Sequence, residues 1–303
     1  MKKLMTVFLV LLLLVGCGST KKENEKLTVI ASYTIISDML NQIGGDLIEV
    51  YNLVPTGTDP HEYEPLPNDI KHATDADLMF YNGLNLEGGE SGWFFKLAKS
   101  VNKETSIIFD LSEGITPLYL HDGDTSDGLM NPHAYLNPNN GIIMVENALK
   151  VLVEHDPENQ ATYEANAQRY LNTLGAIEEK YRTSFESLDE KDRILVTSER
   201  AFQYMNLEYG LKEGFIWAID TEELGTAAQI KALSTFIKEN NVKVLFVESN
   251  VDRRPMETVS KETGVPIFKD TVYSDEIGVK GSEVDSYEKM LTHNLEVIME
   301  GLQ

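Results

Sequence analysis

The fold is decided by residues 27–53, which read LTVIASYTIISDMLNQIGGDLIEVYNL. The apolar run at 27–32 predicts a first β-strand, and the run from Leu47 to Leu53 predicts a second. Between them, apolar side chains recur at the spacing of an amphipathic helix, at Ile36, Met39, Leu40 and Ile43. A strand, a helix and a strand in this order predict parallel pairing and an α/β lobe.

The same alternation returns along the rest of the chain. Further strands are predicted at 78–81, 106–110, 193–198, 215–219, 242–248 and 266–268. Further helices are predicted at 69–74, 93–100, 201–209, 226–239, 256–262 and 285–300. The segment between Leu111 and Asn137 is rich in Gly, Asp, Ser and Pro and predicts a loop.

A longer helical pattern separates the two halves. From Pro157 to Leu188 the apolar and aromatic residues follow one stripe, which as a single helix would measure about 48 Å. The alternative is two ordinary helices that break near Gly175. We expect two α/β lobes, each with a mainly parallel sheet flanked by helices, joined by one long linking helix. The predicted N-terminal lobe spans residues 27–138, the linking segment 139–190 and the C-terminal lobe 191–303.

The amino-terminal residues predict a compartment. A basic start is followed by an apolar run from Leu4 to Val15, too short for a permanent membrane helix but suited to a signal peptide. The sequence LVGC at 14–17 resembles a bacterial lipobox, so we expect a signal peptide at 1–16, a lipid on Cys17 and a tether at 17–26. The alternative is an ordinary secretory signal with an incidental cysteine.

Composition excludes some classes of function. The chain of 303 residues carries a net charge of −23, and this acidic balance argues against a nucleic-acid partner. Its single cysteine allows no internal disulfide and no thiolate metal site.

Two histidines follow prolines within turn-rich segments. His61 lies in GTDPHEYEP at 57–65, and His133 lies in NPHAYLNP at 131–138. Proline restricts the backbone ahead of each ring, and ligands held by a stiff loop lose little entropy when an ion binds. The pair therefore predicts a metal site.

Two carboxylates occupy comparable places in the second half. Ligands of parallel sheets bind beyond the carboxyl ends of the strands, where Glu199 and Asp275 are predicted to lie. Taken alone, Glu199 is more typical of an acid at a helix N-terminus than of a ligand, and Asp275 is more typical of a turn residue.

Four motifs together carry a family resemblance: GTDPHEYEP at 57–65, PHAYL at 132–136, TSE at 197–199 and ESNVDRRP at 248–255. Over nearly the whole mature length, the chain resembles the cluster A-I (family 9) metal-binding solute-binding lipoproteins of ABC transporters, some described as adhesins. The resemblance implies one metal ion in a cleft between two lobes, held by His61, His133, Glu199 and Asp275. Asp270 is the alternative to Asp275. Arg200 departs from the pattern, in which a small residue follows the glutamate, and a cation there would lower the basicity of Glu199 or pair with it.

The donor set indicates the metal. Two imidazoles with two carboxylates suit Mn(II) and tolerate Fe(II), whereas a third imidazole would favour Zn(II). His121 is the one histidine in the loop before His133, and we expect at most an accessory contact from it. We favour Mn(II), with Zn(II) or Fe(II) as alternatives.

The predicted function is that of a monomeric, extracytoplasmic receptor held to the bacterial membrane by the lipid on Cys17. It would deliver its ion to a membrane permease driven by a cytoplasmic ATPase. The alternatives are a zinc or iron receptor of the same type, a surface adhesin with a structural metal, and a metalloenzyme. We expect no enzymatic activity, since the sequence has no metalloprotease or serine-nucleophile signature.

Overall fold

A computed structural model describes residues 26–120, 129–219 and 225–303. The predicted signal peptide, Cys17 and His121 lie outside these ranges. Within them, no helix combines the length and the apolarity that a membrane crossing requires.

In the described residues of the first half, four parallel strands form one sheet. They are β1 (Leu27–Tyr33), β2 (Ile48–Val54), β3 (Leu78–Tyr81) and β4 (Ile108–Asp110), in the order β2-β1-β3-β4. The central strand β1 pairs with both neighbours, so that Val29 lies opposite Val50 on one side and Leu78 on the other. Because all strands run the same way, their carboxyl ends share one edge of the sheet.

Helices pack against this sheet. They are α1 (Thr34–Gly44), α2 (Pro67–Asp75) and α3 (Trp93–Ser100). The face of α1 predicted to be apolar is buried, and Gly45 ends the helix with a φ of +52°. Gly44 allows the close return of the chain into β2, since a Cβ there would lie 2.1 Å from Ile48 Cδ1.

Two long helices follow. Helix α4 spans Pro138–His155, and α5 spans Gln160–Glu186 after a short 3₁₀ turn at Pro157–Asn159. The 27 residues of α5 measure about 40 Å. Gly175 lies within α5 without interrupting it, so the prediction of one long helix is confirmed and the alternative of two helices is wrong.

Helix α5 contacts helices from both halves of the chain. Its buried stripe of seven side chains faces α1, α4 and the last helix, α9 (Tyr287–Leu302). Buried tyrosines need a partner for their hydroxyl. Tyr170 donates to Asp38 Oδ2 at 3.2 Å, and Tyr181 donates to Leu291 O at 2.7 Å. These bonds fix α5 against α1 and α9.

The second half also has parallel pairing, but less regular strands. The elements are β5 (Ile194–Val196), α6 (Gln203–Tyr209), β6 (Lys212–Gly214), α7 (Ala227–Glu239) and α8 (Arg254–Thr263). Strands β5 and β6 pair in parallel. The strands predicted at 242–248 and 266–268 are single parallel bridges instead, between Leu245 and Ile267 and between Glu248 and Val272.

The described residues form two apolar cores, and the larger one also takes in residues of the second half such as Phe202 and Phe246. The larger core joins the first sheet to α1, α4, α5 and α9, and the smaller one lies around β5, α7 and α8 with Trp217 fully buried. The predicted α/β class with parallel sheets and a long helix is confirmed.

Candidate metal centre

The four predicted ligands lie together although they come from four separate segments. His61 follows β2, and His133 precedes the 3₁₀ turn Ala134–Leu136 that leads into α4. Glu199 follows β5, and Asp275 follows the bridge between Glu248 and Val272. Glu199 and Asp275 thus extend beyond carboxyl ends of parallel segments, where open α/β sheets hold their ligands.

The distances suit a single small cation. One candidate ligand atom from each residue lies within 4.8 Å of all the others. His133 Nε2 lies 3.1 Å from Asp275 Oδ1 and 3.6 Å from Glu199 Oε1, and His61 Nε2 lies 3.7 Å from Asp275 Oδ1. Donors placed about 2.1 Å from a common centre are about 3.4 Å apart in a tetrahedron. The spacing is therefore that of ligands around one ion.

All four side chains are buried. The exposed fractions are 8% for His61, 0% for His133, 0% for Glu199 and 2% for Asp275. Two carboxylates at this depth are costly unless a positive charge balances them. A divalent cation would neutralise both charges.

Asn131 fixes the tautomer of His133. Its Nδ2 donates to Arg200 O at 2.8 Å and to Gln203 Oε1 at 2.9 Å, so its Oδ1 must be the acceptor. Oδ1 lies 2.7 Å from His133 Nδ1, which therefore carries the proton. The lone pair of His133 is left on Nε2, between the carboxylates. Burial lowers the pKa of His133 and keeps the ring neutral, as a ligand must be.

Asp275 is held as a carboxylate by several donors. Tyr135 Oη donates to Oδ1 at 2.9 Å, and Asn250 Nδ2 and Ser274 Oγ each donate to Oδ2 at 2.8 Å. Burial acts to raise the pKa of Asp275, but at the low pH where this carboxyl would titrate, protonated His133 and His61 outweigh burial and hold the pKa well below its ordinary value. An ionised oxygen is thus available at neutral pH.

Glu199 is positioned through its backbone by a second buried acid. Glu248 accepts the backbone N–H of Glu199 at 2.9 Å and that of Ser198 at 3.2 Å. Burial raises the pKa of Glu248 to about 7. Thr197 Oγ1 also donates to Glu199 O at 2.7 Å. The turn after β5 is thereby fixed, and the Glu199 side chain enters the cluster.

Arg200 forms a salt bridge with Glu213, a residue outside the proposed ligand set. Its guanidinium pairs with Glu213 Oε1, at 2.8 Å from Nε and 2.6 Å from Nη2, and Nη1 donates to Leu120 O at 2.6 Å. The salt bridge described for this cation is with Glu213, and its pairing with Glu199 stays a prediction.

The other candidates are not brought into the cluster. Asp270 is exposed and lies 3.7 Å from Lys269, so Asp275 and not Asp270 joins the two histidines. His72 stacks on Tyr51, and His293 Nε2 lies 2.9 Å from Thr271 O.

Sequence reasoning missed the supporting residues. Asn131, Tyr135, Glu248 and Asn250 all lie within the quoted motifs, NPHAYLNP and ESNVDRRP, but none was singled out. For Asn131 and Tyr135 the available signal was a polar side chain two residues from His133, and for Glu248 and Asn250 it was their place within a family motif.

Comparisons with known proteins agree with the fold and identify the family. The profile of the family described as "ZnuA: Zinc-uptake complex component A periplasmic" matches residues 29–301. The manganese ABC transporter substrate-binding lipoprotein PsaA of Streptococcus mitis is 44% identical, over 100% of this chain and 99% of its own length. The iron ABC transporter substrate-binding lipoprotein MtsA of Streptococcus pyogenes serotype M1 is also 44% identical, over 100% of this chain and 98% of its own. The Mn-bound periplasmic metal-binding protein from Candidatus Liberibacter asiaticus superposes with a TM-score of 0.83 at 28% identity, over 92% of this chain and 100% of that one.

Proposed function

Because the chain belongs to the family of the periplasmic zinc-uptake complex component A, we propose that it captures one divalent transition-metal ion and delivers it to an ABC importer. The ligands are His61, His133, Glu199 and Asp275. The observation that carries the proposal is their convergence, from four separate segments, into one buried cluster with the spacing of a coordination sphere.

The donor set favours Mn(II) as the cargo. The two relatives are equally similar to this chain, yet their names assign one to manganese and the other to iron. Identity therefore does not separate these metals, and the choice rests on chemistry. Two carboxylates and two imidazoles without a thiolate suit Mn(II) and Fe(II) better than a histidine-rich set would. Zn(II) binds more tightly than Mn(II) to most such sites, so availability decides which ion is carried.

Capture depends on groups that are already in their binding states. His133 presents an unprotonated Nε2, because Asn131 holds the proton of the ring on Nδ1. Asp275 presents an ionised oxygen whose orientation Tyr135 and Asn250 hold. The ion therefore meets preorganised donors, and the binding free energy is not spent on arranging them.

The rest of the proposal concerns place and partners. The protein is a monomer without enzymatic activity, anchored on the extracytoplasmic face by a lipid on Cys17. It passes its ion to a permease whose partner is a cytoplasmic ATPase. The lobes are residues 27–138 and 191–303, and the linking segment is 139–190. The names of its relatives, as substrate-binding lipoproteins of ABC transporters, support the lipid anchor and the transporter partners of this proposal.

Calorimetric titration of chelator-stripped protein tests the site. Wild type should bind one equivalent of Mn(II), Zn(II) or, without oxygen, Fe(II). His61→Ala should abolish binding because it removes one ligand of four. His155→Ala is the matched control, since the described hydrogen bond of this exposed histidine lies within its own helix turn, to Val151 O, and its ring contacts Phe109. An unchanged curve for His61→Ala would remove His61 from the site.

The same titration separates the receptor assignment from the metal assignment. No detectable Mn(II) binding by wild type, with Zn(II) or Fe(II) still bound, would overturn manganese alone. Elemental analysis of the protein isolated from its native host then identifies the ion that it carries.

A further inference from the structure

Glu276 joins two loops of the metal centre that are distant in sequence. We call residues 55–61 the His61 loop and residues 274–277 the Asp275 loop. Glu276 Oε2 accepts a hydrogen bond from the backbone N–H of Gly57, in the His61 loop. Its Oε1 accepts a second one from Ser249 Oγ at 3.0 Å. The side chain is only 7% exposed, so the carboxylate lies inside the seam between these segments.

The link to Gly57 reaches His61 through a short, ordered turn. Gly57 has a φ of +84°, a conformation that favours glycine, and the turn is closed by a bond of 3.2 Å from Thr58 N to Pro55 O. Asp59 Oδ1 accepts the backbone N–H of His61 at 2.7 Å. A displacement of Gly57 would therefore be passed on to the imidazole.

Neutral hydrogen bonds accompany this contact. Thr56 Oγ1 donates to Ile277 O at 3.0 Å, and the backbone N–H of Ile277 donates to Thr34 Oγ1 at 3.1 Å. Bonds to an ionised acceptor are about twice as strong as neutral ones. The bond from Gly57 to the Glu276 carboxylate is thus of a stronger kind than the neutral bonds beside it, and it adds to the contact of 3.7 Å between His61 Nε2 and Asp275 Oδ1. Among the described residues, no lysine or arginine nitrogen lies within 4.0 Å of its carboxylate.

We propose that Glu276 is a positioning residue that clamps the His61 loop to the Asp275 loop and slows the release of bound metal. The inference rests on the proposed function. A buried ion leaves only when the loops that supply its ligands separate, and separation breaks the bond between Glu276 and Gly57, whereas the bond to Ser249 holds the Glu276 side chain in position. Differences of this kind between variants of one binding site appear mainly in the dissociation rate.

Three variants test the clamp. Glu276→Gln keeps the shape of the side chain but offers only one oxygen to two donors. Ser249→Ala removes one of the two bonds by a smaller change, and it keeps the test valid if Glu276→Gln folds poorly. Glu283→Gln is the matched control, an exposed acid a few residues further along. Stopped-flow mixing with excess EDTA measures Mn(II) release, and mixing with Mn(II) measures capture.

Release should be about tenfold faster in Glu276→Gln, faster by a smaller factor in Ser249→Ala, and unchanged in Glu283→Gln. The capture rate should stay within about threefold of wild type. A wild-type release rate in Glu276→Gln would overturn the clamp, while the proposed function would stand on the wild-type titration.

Hydrogen exchange of the metal-free protein gives a readout that does not depend on binding. The amides of residues 55–61 should exchange faster in Glu276→Gln than in wild type, because the bond to Gly57 is weakened. If wild type binds no metal, the proposed function fails, but the exchange experiment still tests whether the bond from Gly57 to Glu276 holds the His61 loop in place. Unchanged exchange would then overturn the clamp as well.

Discussion

Replacing Asn131 by alanine would test whether the support of His133 matters for metal capture. Asn131 Oδ1 accepts from His133 Nδ1 at 2.7 Å and from the His133 backbone N–H at 3.0 Å. Its Nδ2 donates to Arg200 O at 2.8 Å and to Gln203 Oε1 at 2.9 Å. The variant loses all four bonds, and the imidazole becomes free to rotate and to change tautomer.

Two quantities should fall, for separate reasons. Removing the hydrogen-bond partner of a ligating histidine typically lowers metal affinity 10- to 100-fold, about 1.4–2.7 kcal/mol of binding free energy. Buried groups left without partners cost about 1–3 kcal/mol each, and water that enters the space recovers part of this. We therefore expect the free energy of unfolding of the metal-free protein to fall by roughly 2–4 kcal/mol.

Calorimetric titration with Mn(II) measures the first quantity, and urea unfolding followed by circular dichroism measures the second. Asn139→Ala is the control, because the described bond of its Nδ2 is a surface contact of 3.3 Å with Glu208 Oε1. An affinity within threefold of wild type, together with a lower stability, would refute the reasoning. It would show that Asn131 acts in folding and not through the tautomer of His133.

Three further predictions concern stability. Burial raises the pKa of Glu87 to about 7, so the folded state binds this proton more tightly than the unfolded state, and stability falls as the pH rises from about 4.5 to 7. Glu87→Gln should remove this pH dependence and raise the free energy of unfolding by up to about 3 kcal/mol at pH 8, as measured by urea unfolding. Equal stability–pH profiles for the variant and wild type would contradict the prediction. Gly44→Ala should lower the unfolding free energy by about 1–3 kcal/mol, because the added Cβ would overlap Ile48. Gly175→Ala, in open space on α5, should raise it by about 0.5–1 kcal/mol. Thermal unfolding of the two variants and wild type measures both changes. Mn(II) at 100 times its dissociation constant should raise the free energy of unfolding of wild type by about 2.7 kcal/mol in calorimetric unfolding. An equal Mn(II)-induced stabilisation of His61→Ala would contradict the role of His61 as a ligand.

The order of strands and helices in the first half could be predicted because its signals are local. Apolar runs such as residues 27–32 and the helical stripe of α1 report burial directly, and the alternation implies parallel pairing. The long helix was also predictable, since a continuous stripe extends across Gly175. That the four proposed ligands bind the metal stays a prediction, but the motifs did indicate which side chains the fold brings together.

The remaining features depend on contacts through space. Whether residues 242–248 form a full ladder depends on the neighbouring segments, and here only Leu245 and Glu248 make bridges. The partner of Arg200 could not be predicted either, because Glu213 lies on a different element and is brought near by the parallel pairing of β5 with β6. The roles of Asn131 and Glu248 likewise depend on side-chain orientation, which sequence spacing does not specify.

The depth of the metal centre has a consequence for the kinetics of ion entry. His133 and Glu199 have no exposed surface, so an ion cannot reach them while it keeps its full shell of coordinated water. Dehydration therefore becomes part of the barrier to capture. Mg(II) loses its coordinated waters reluctantly, and it prefers oxygen ligands, so two nitrogen donors compensate poorly for the lost waters. In a receptor that binds its ion at this cluster, burial and the two nitrogen donors together would therefore discriminate against Mg(II).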